Sequence, residues 1–355
     1  MSDVIETPST NAEHAYDKTT TVRSLCVRLG ITELMRREGV TEVAINRPFE
    51  GWTESRDGWK RHELPELTFE LARKLANSLA ILNKKTGFGA ERPMVPSRLP
   101  EGARGQLCVE PAVEQGTVVF TIRIPSEDRF EMDDYTRWGT FSDFRATAGY
   151  TQAPPDIPLA EFELAMLAAL HERNVPQFFQ LAIDHNLNIV LVGGTGSGKT
   201  TLMKALADMV DRESRIGTIE DTHELSLPNH PNHVHMFFSD TLPCKEVVKA
   251  TLRMKFDRVF LAELRGDETW DYLTLLNTGH QGGMTSVHAN DSVATFPRIA
   301  TLIKQSEVGQ NMDYDYVLRE VKRTIDVVIF MDKRKRMTEL YYNPVEKWKM
   351  NRGLA

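Results

Sequence analysis

A glycine-rich segment contains the residues with the clearest chemical potential. Gly193 is followed after four residues by Gly198, Lys199 and Thr200. Glycines let the backbone fold so that several N–H groups point at one anion, and Lys199 adds a mobile positive charge. Thr200 adds a hydroxyl, an oxygen ligand of the kind that Mg²⁺ prefers. The combination is suited to holding the phosphates of a nucleotide.

The neighbouring sequence predicts the strand and the helix that must position this segment. Residues 189–192 form a short apolar run, typical of a buried strand. Apolar residues at helical spacing follow from Leu202 to Val210. A helix that begins near Gly198 directs the positive end of its dipole at the phosphates. Strand, turn and helix together predict a P-loop and disfavour a plain glycine turn. The residues that we expect to bind the nucleotide are Gly193, Gly194, Thr195, Gly196, Ser197, Gly198, Lys199, Thr200 and Thr201.

Two acidic strand ends are candidates for handling the metal ion and the attacking water. Residues 258–263 form an apolar run that ends in Glu263, which predicts a Walker B element. Thr200 and Glu263 are the expected Mg²⁺ ligands. Glu220, within the acidic segment 218–225, is the preferred residue to activate the water. The sequence also allows the roles of the two glutamates to be exchanged, and segment 218–225 on its own would be a solvated turn.

The histidines and one basic run need separate interpretations. His288 follows a predicted strand in a glycine-rich frame, where an imidazole can contact a γ-phosphate and change charge near neutral pH. His233 and His235 would share one face of a strand. No acid or cysteine in segment 230–235 completes a familiar ligand set, so we do not expect a metal site there. The basic run 333–336 is predicted to be a solvated turn.

Composition limits the class of protein. The 355 residues suggest about two domains, and 41% hydrophobic with 26% charged residues is typical of a globular protein. A net charge of −7 argues against a protein whose main task is to grip nucleic acid. Three distant cysteines, Cys26, Cys108 and Cys244, favour a reducing compartment over a disulfide framework or a zinc module. No apolar run approaches the roughly 18 residues of a membrane span.

The order of predicted elements suggests two domains of different class. Residues 1–20 are predicted to be a mobile tail, and residues 21–150 a small α+β domain. Three prolines within residues 151–158 indicate a linker. Strands and helices alternate through residues 159–355, which predicts an α/β fold with a mainly parallel sheet. Ligands of such sheets collect at the C-terminal ends of the strands, where the residues named above are placed.

Four segments, in this order, resemble the traffic ATPases of bacterial secretion, the type II/type IV secretion ATPase superfamily. They are the P-loop at 193–200, the acidic box at 218–225, Leu-Ala-Glu-Leu-Arg-Gly at 261–266 and the histidine box at 279–290. Type II members usually carry a four-cysteine zinc module and a further N-terminal domain. Lacking both in its sequence, this chain is more similar to the compact type IV member, which serves conjugative DNA transfer or effector export.

The resemblance implies a RecA-like P-loop NTPase domain behind the smaller α+β domain, assembled as a hexameric ring. It implies that ATP is bound with Mg²⁺ and hydrolysed to drive export or pilus assembly. Arg104 and Arg123 match positions that reach the phosphates from the first domain, and they join Lys199, Glu220, Glu263 and His288 as expected catalytic residues. The implied partners are inner-membrane channel components and other secretion ATPases. The implied location is cytoplasmic, at the periphery of the inner membrane, without direct DNA binding.

Three other functions use the same core. A hexameric nucleic-acid translocase or helicase is disfavoured by the acidic balance and by the lack of an aromatic and basic platform. A nucleotide-gated scaffold that barely hydrolyses is disfavoured because Glu220 and Glu263 are both present. A pilus retraction motor is a closer relative, and the sequence leaves it open.

Overall fold

The structure, a computed structural model, describes most of the chain. The described residues are 17, 19–55, 57–125, 129–147, 154, 156–239 and 241–354. Most of the predicted tail lies outside them, and of the predicted linker they include residues 154 and 156–158. The chain packs as two compact units, Met1–Ser126 and Glu127–Ala355.

The first unit is an antiparallel sheet with helices packed on it. Its elements are α1 (Thr20–Arg28), α2 (Ile31–Met35), β1 (Glu42–Ile45), β2 (Glu50–Ser55), β3 (Gly58–Glu63), α3 (Phe69–Leu82), β4 (Met94–Arg98), β5 (Arg104–Val109) and β6 (Val118–Arg123). The strand order is β3-β2-β1-β6-β5-β4. Alternate strand residues such as Leu107 and Phe120 pack with Leu75 of α3 in one core, and their neighbours face outward. The predicted α+β unit is confirmed.

The second unit alternates strands and helices. Its elements are α4 (Met132–Arg137), β7 (Arg145–Ala146), α5 (Glu161–His171), α6 (Val175–Asp184), β8 (Ile189–Gly193), α7 (Lys199–Asp208), β9 (Ile216–Glu220), β10 (His233–Phe237), α8 (Cys244–Thr251), β11 (Arg258–Leu261), α9 (Glu268–Asn277), β12 (Met284–Val287), α10 (Thr295–Gln305), a 3₁₀ turn (Gly309–Asn311), α11 (Tyr314–Thr324), β13 (Val327–Met331), β14 (Met337–Tyr342) and α12 (Pro344–Asn351). Among the described helices, none combines the length and apolarity needed to cross a membrane.

The sheet of the second unit is mainly parallel. Its strand order is β10-β9-β11-β12-β8-β13-β14-β7, with β14 antiparallel to β13. The strands from β10 to β13 all run in the same direction, so the C-terminal ends of β9, β11, β12 and β8 lie along one edge. These strand ends are followed by the loop at residues 193–198, by Glu263 and by His288. Glu220 is itself the last residue of β9. The predicted fold class is confirmed, and it places the candidate residues along this edge.

The central strand β8 is buried on both faces. Ile189 and Leu191 pack into one hydrophobic core with residues of α6 and α7, whereas Val190 and Val192 pack into the other with residues of α9 and α10. Successive residues of a strand point to opposite faces, so a strand covered on both sides needs an unbroken apolar run. This burial holds the P-loop at the end of a rigid element.

The predicted domain boundary at residues 151–158 is wrong. The structure assigns the chain from Glu127 onward to the second unit. Tyr135, Phe141 and Phe144 are buried in the same core as α6 and α7, and β7 pairs with β14. Burial stabilises large aromatic side chains more than small ones, because more apolar surface is removed from water. These three are buried in the second unit. The prolines that indicated a linker lie after this attachment.

Asn188, directly before β8, ties the starts of neighbouring strands together. Its Nδ2 donates to the carbonyl oxygen of Thr324 at 2.8 Å, and its Oδ1 accepts from the N–H groups of Gly282 and Gly283 at 3.0 and 3.1 Å. Its own N–H donates to Oδ2 of Asp326 at 2.8 Å. Asn188 is buried. Its side chain therefore satisfies backbone groups that have no access to water.

Replacing Asn188 by alanine should lower the free energy of unfolding by about 2–4 kcal/mol, because two buried N–H groups and a carbonyl lose their partner. Urea denaturation followed by circular dichroism measures the loss. The control Gln180→Ala removes an amide that contacts Asp184 on the surface of α6. It should change the stability by less than about 0.5 kcal/mol. Equal stability of the two variants would contradict this role of Asn188.

Candidate functional site

The loop between β8 and α7 begins and ends at positions that require glycine. Gly193 has a φ of 144°, and a Cβ atom there would lie 2.2 Å from the carbonyl oxygen of Met331. Gly198, the residue before α7, has a φ of 91°. A side chain is strained in this region of φ and, at Gly193, has no space. Residues 194–196 between them are exposed to solvent.

The start of α7 offers donors that suit an anion. The N-cap residue Gly198 has no side chain, so the first N–H groups of the helix receive no side-chain cap. The hydroxyl of Ser197 is buried and lacks a hydrogen-bond partner among the described residues. Phosphate oxygens at this place would satisfy the helix N–H groups and the Ser197 hydroxyl together. The loop therefore fits the predicted nucleotide phosphates.

Lys199 is held against this loop. Its Nζ donates to the carbonyl oxygens of Gly193 and Gly194, at 2.9 Å each, and its side chain is mostly buried. Hydrogen bonds from an ammonium to an ionised oxygen are stronger than those to a neutral carbonyl. A phosphate can therefore draw the ammonium away from the two carbonyls. Thr200 and Thr201, in the same first turn of α7, are half-buried.

His288, just after β12, connects the loop with the acid at the end of β11. Its Nδ1 lies 3.0 Å from the carbonyl oxygen of Gly193, and its Nε2 lies 3.1 Å from Oε1 of Glu263. A carbonyl oxygen only accepts, so Nδ1 carries the hydrogen of the first bond. The imidazole thus contacts both the phosphate-binding loop and the predicted metal ligand.

Sequence reasoning missed Arg265, which links two acidic strand ends. Its Nε and Nη2 donate to Oε2 of Glu263 at 2.9 and 2.7 Å, and its Nη1 donates to Oδ2 of Asp221 at 2.7 Å. Burial lowers the pKa of the guanidinium, but the hydrogen bonds and attraction of Glu263 and Asp221 outweigh it and raise the pKa above its usual value. The available signal was the position of Arg265 two residues after Glu263.

Glu220, the predicted base, is completely buried at the end of β9. Its Oε1 accepts from the hydroxyl of Thr218 at 3.0 Å. Its Oε2 accepts from the N–H groups of Glu224 and Leu225 at 2.7 Å each. The carboxylate thus holds the turn that follows β9, and its oxygens are not presented to solvent.

The acid of segment 218–225 that joins Glu263 is Asp221, the residue after Glu220. Asp221 and Glu263 share the guanidinium of Arg265. Neighbouring residues at a strand end point in opposite directions, so only one of two consecutive acids can face the site. The structure therefore brings Asp221, rather than Glu220, together with Glu263.

Arg104 and Arg123 are direct neighbours on the sheet of the first unit. Arg104 of β5 is the register partner of Arg123 on β6 and of Arg98 on β4. Glu42 of β1 pairs with Arg123 at the end of the row. Register partners in an antiparallel sheet project from the same face. Alternate residues of these strands form the core, so the row lies on the opposite, outward face. Sequence reasoning missed Arg98.

The basic run 333–336 is an exposed turn between β13 and β14, as the sequence predicts. Its Lys335 lies beside the P-loop: the Cβ and Cγ atoms are 3.8 Å from the position that a Cβ of Gly198 would occupy. Pairing of β13 with β8 brings the turn there. This nearby positive charge has no signature in the sequence, because it depends on strand order.

Comparison with known proteins identifies relatives that match most of the chain. The family model described as "Type II/IV secretion system protein" matches residues 159–334. The type IV secretion system protein VirB11 of Brucella abortus is 35% identical over 322 residues, which are 87% of this chain and 86% of that protein. The type IV secretion system protein PtlH of Bordetella pertussis is 32% identical over 321 residues, 87% of this chain and 91% of that protein.

Solved structures share the fold. The VirB11 ATPase of the Brucella suis type IV secretion system, in complex with sulphate, has a TM-score of 0.52 and 34% identity, covering 92% of this chain and 99% of that one. The pilus retraction motor PilT with bound ADP has a TM-score of 0.58 at 17% identity, covering 92% and 86%, and supports the fold alone. Since relatives above 30% identity match nearly the whole length of both chains, the chain belongs to the type II/IV secretion ATPase superfamily and, within it, is related to VirB11.

Proposed function

We propose that this protein is an ATP-hydrolysing traffic ATPase that powers substrate export or pilus assembly by a bacterial type IV secretion system. Family membership supports ATP hydrolysis. The observation that carries the site is the double contact of His288 with the Gly193 carbonyl and with Glu263, at 3.0 and 3.1 Å. It joins the phosphate-binding loop to the Walker B acid.

In this proposal the P-loop binds the triphosphate. The N–H groups at the start of α7 and the hydroxyl of Ser197 donate to phosphate oxygens, and Lys199 exchanges neutral carbonyl partners for charged oxygens. Thr200 and Glu263 supply a hydroxyl and a carboxylate, both suitable oxygen ligands for Mg²⁺. When bound, Mg²⁺ supplies positive charge that neutralises the phosphates.

We assign the water-positioning role to Glu263 rather than to Glu220. The Glu263 side chain is 20% exposed, whereas that of Glu220 has no exposure. Arg265 donates to Oε2 of the Glu263 carboxylate and sets its orientation at the edge of the sheet, while Nε2 of His288 lies 3.1 Å from Oε1. Glu220 stabilises the turn after β9 through its two backbone N–H partners. Exposure favours this assignment, which differs from both that the sequence allows, because Glu263 serves the metal and the water and Glu220 serves neither.

We further propose that Arg104 and Arg123 contribute positive charge to the nucleotide from the first unit. Their support is that Arg104 and Arg123 are register partners on an outward face, so the two guanidinium groups project side by side from the sheet. The proposal includes a homo-hexameric ring that works at the inner membrane with channel components and other secretion ATPases.

The alternatives have weaker support. A pilus retraction motor shares the fold, but PilT is only 17% identical, against 35% for the VirB11 relative. The net charge of −7 disfavours a nucleic-acid translocase.

Lys199→Ala should abolish ATP turnover, because the outer phosphates lose their mobile cation. Phosphate release by the purified chain with ATP and Mg²⁺ measures it. The control Lys74→Ala removes an exposed lysine of α3 and should leave the rate unchanged. Turnover by Lys199→Ala at the level of the control would refute the site assignment.

Glu263→Gln should affect turnover, whereas Glu220→Gln should affect stability. The first should reduce turnover roughly 100-fold with little loss of stability, since it removes the charge that positions the water. The second should lower the free energy of unfolding by about 1–3 kcal/mol, because a buried acceptor of two N–H bonds is weakened. Turnover and urea denaturation are measured on both variants. Full stability with no turnover in Glu220→Gln would return the catalytic role to Glu220.

Arg123→Ala should impair hydrolysis more than folding, with a fall in turnover of at least about tenfold. The matched control Arg28→Ala removes an exposed arginine of α1, whose partner Glu66 is also exposed, and should have no effect on the rate. Turnover and thermal unfolding are compared. A normal rate together with normal thermal stability would argue against a role of the first unit at the nucleotide.

A further inference from the structure

A cluster of two histidines and a glutamate lies at the edge of the second sheet, apart from the P-loop. Glu220 ends β9, His223 follows in the turn, and His235 lies on β10. Parallel pairing of β10 with β9 places His235 opposite Thr218, two residues before Glu220. Segment 230–235 lacks an acid of its own, and the pairing of the strands supplies one.

The three side chains are close enough to share one ion. One potential ligand atom from each of Glu220, His223 and His235 lies within 4.8 Å of the other two. Nδ1 of His223 lies 3.4 Å from Oε1 of Glu220. The two imidazole rings have their centroids 4.3 Å apart.

Neighbouring groups orient the cluster in the way that metal sites require. The hydroxyl of Thr218 donates to Oε1 of Glu220 and lies 2.7 Å from Nδ1 of His235, so it positions both side chains. The N–H groups of Glu224 and Leu225 fix the other carboxylate oxygen. The ligands are therefore arranged by the fold before any ion binds.

The charges of the cluster favour a cation. The single hydroxyl hydrogen of Thr218 is donated to Glu220, so this hydroxyl accepts from Nδ1–H of His235, and Nε2 is the nitrogen of that imidazole with a lone pair for an ion. The contacts of the Glu220 carboxylate within the described part of the chain are to a hydroxyl, backbone N–H groups and imidazoles. A buried carboxylate is stabilised by a metal ion or by a fixed positive charge.

We propose that Glu220, His223 and His235 form a binding site for a divalent transition-metal ion of the Zn²⁺ class, separate from the Mg²⁺ of the nucleotide. Two imidazoles with one carboxylate suit Zn²⁺, whereas Mg²⁺ prefers oxygen ligands alone. The side chain of His223 is 49% exposed, which gives an ion access and leaves room for water as a further ligand. The ion would clamp the turn after β9 to β10.

Calorimetric titration of the full, untagged chain tests this site. The chain is treated with EDTA, dialysed, and titrated with ZnCl₂ in excess Mg²⁺ without nucleotide, so the result does not depend on ATPase activity. We expect one Zn²⁺ per chain. His223→Asn and His235→Asn should each weaken binding by about tenfold or more. The control His171→Asn, an exposed histidine at the end of α5, should bind as the original chain does.

Cobalt(II) adds a test that needs no variant. Bound by imidazole and carboxylate, it should show visible bands without the charge-transfer band of a thiolate ligand. A thiolate band would place the ion at a cysteine and overturn the proposal. Zn²⁺ affinity that is equal in the original chain and in folded His223→Asn, with folding checked by circular dichroism, would overturn it too. Since His223 is half exposed, its replacement should leave the fold intact.

Discussion

The carbonyl oxygen of Gly193 is the contact point on which the site depends. It accepts from the ammonium of Lys199 and from the imidazole of His288. The backbone at Gly193 is also pressed against the carbonyl of Met331, where a Cβ has no space. One peptide unit therefore joins Lys199, the residue after strand β12 and the end of strand β13.

The parallel sheet places Glu263 and Asp221 near this contact, because both acids follow the C-terminal ends of strands. His288 reaches Glu263 at the end of β11, and Arg265 extends the chain of hydrogen bonds to Asp221 at the end of β9. The bonds from the Arg265 guanidinium to the two carboxylates are charge-assisted, and such bonds are stronger than neutral ones. The edge of the sheet is thus one connected polar network, and its rigidity comes from strands that are buried on both faces.

Local patterns predicted the P-loop well, because strand, turn and helix are consecutive in the chain. Gly193 and Gly198 have the backbone that their spacing implied, and α7 begins at Lys199. The domain boundary failed for a physical reason. The prolines after residue 150 are a local signal, whereas the burial of Tyr135 and Phe144 in the second core is a distant contact. Sequence analysis missed Arg98 for the same reason, since Arg98 joins Arg104 only through strand pairing.

By itself, the sequence determined which residue types stand at the ends of which strands, because apolar periodicity and glycine spacing are properties of consecutive residues. It therefore determined the fold class and the phosphate-binding loop. Only the tertiary structure decided which of two adjacent acids, Glu220 or Asp221, faces Glu263, and which histidines meet an acid. Those choices depend on strand order, on register and on the direction in which each side chain leaves the sheet. Such contacts join residues far apart in the chain, so no local pattern contains them.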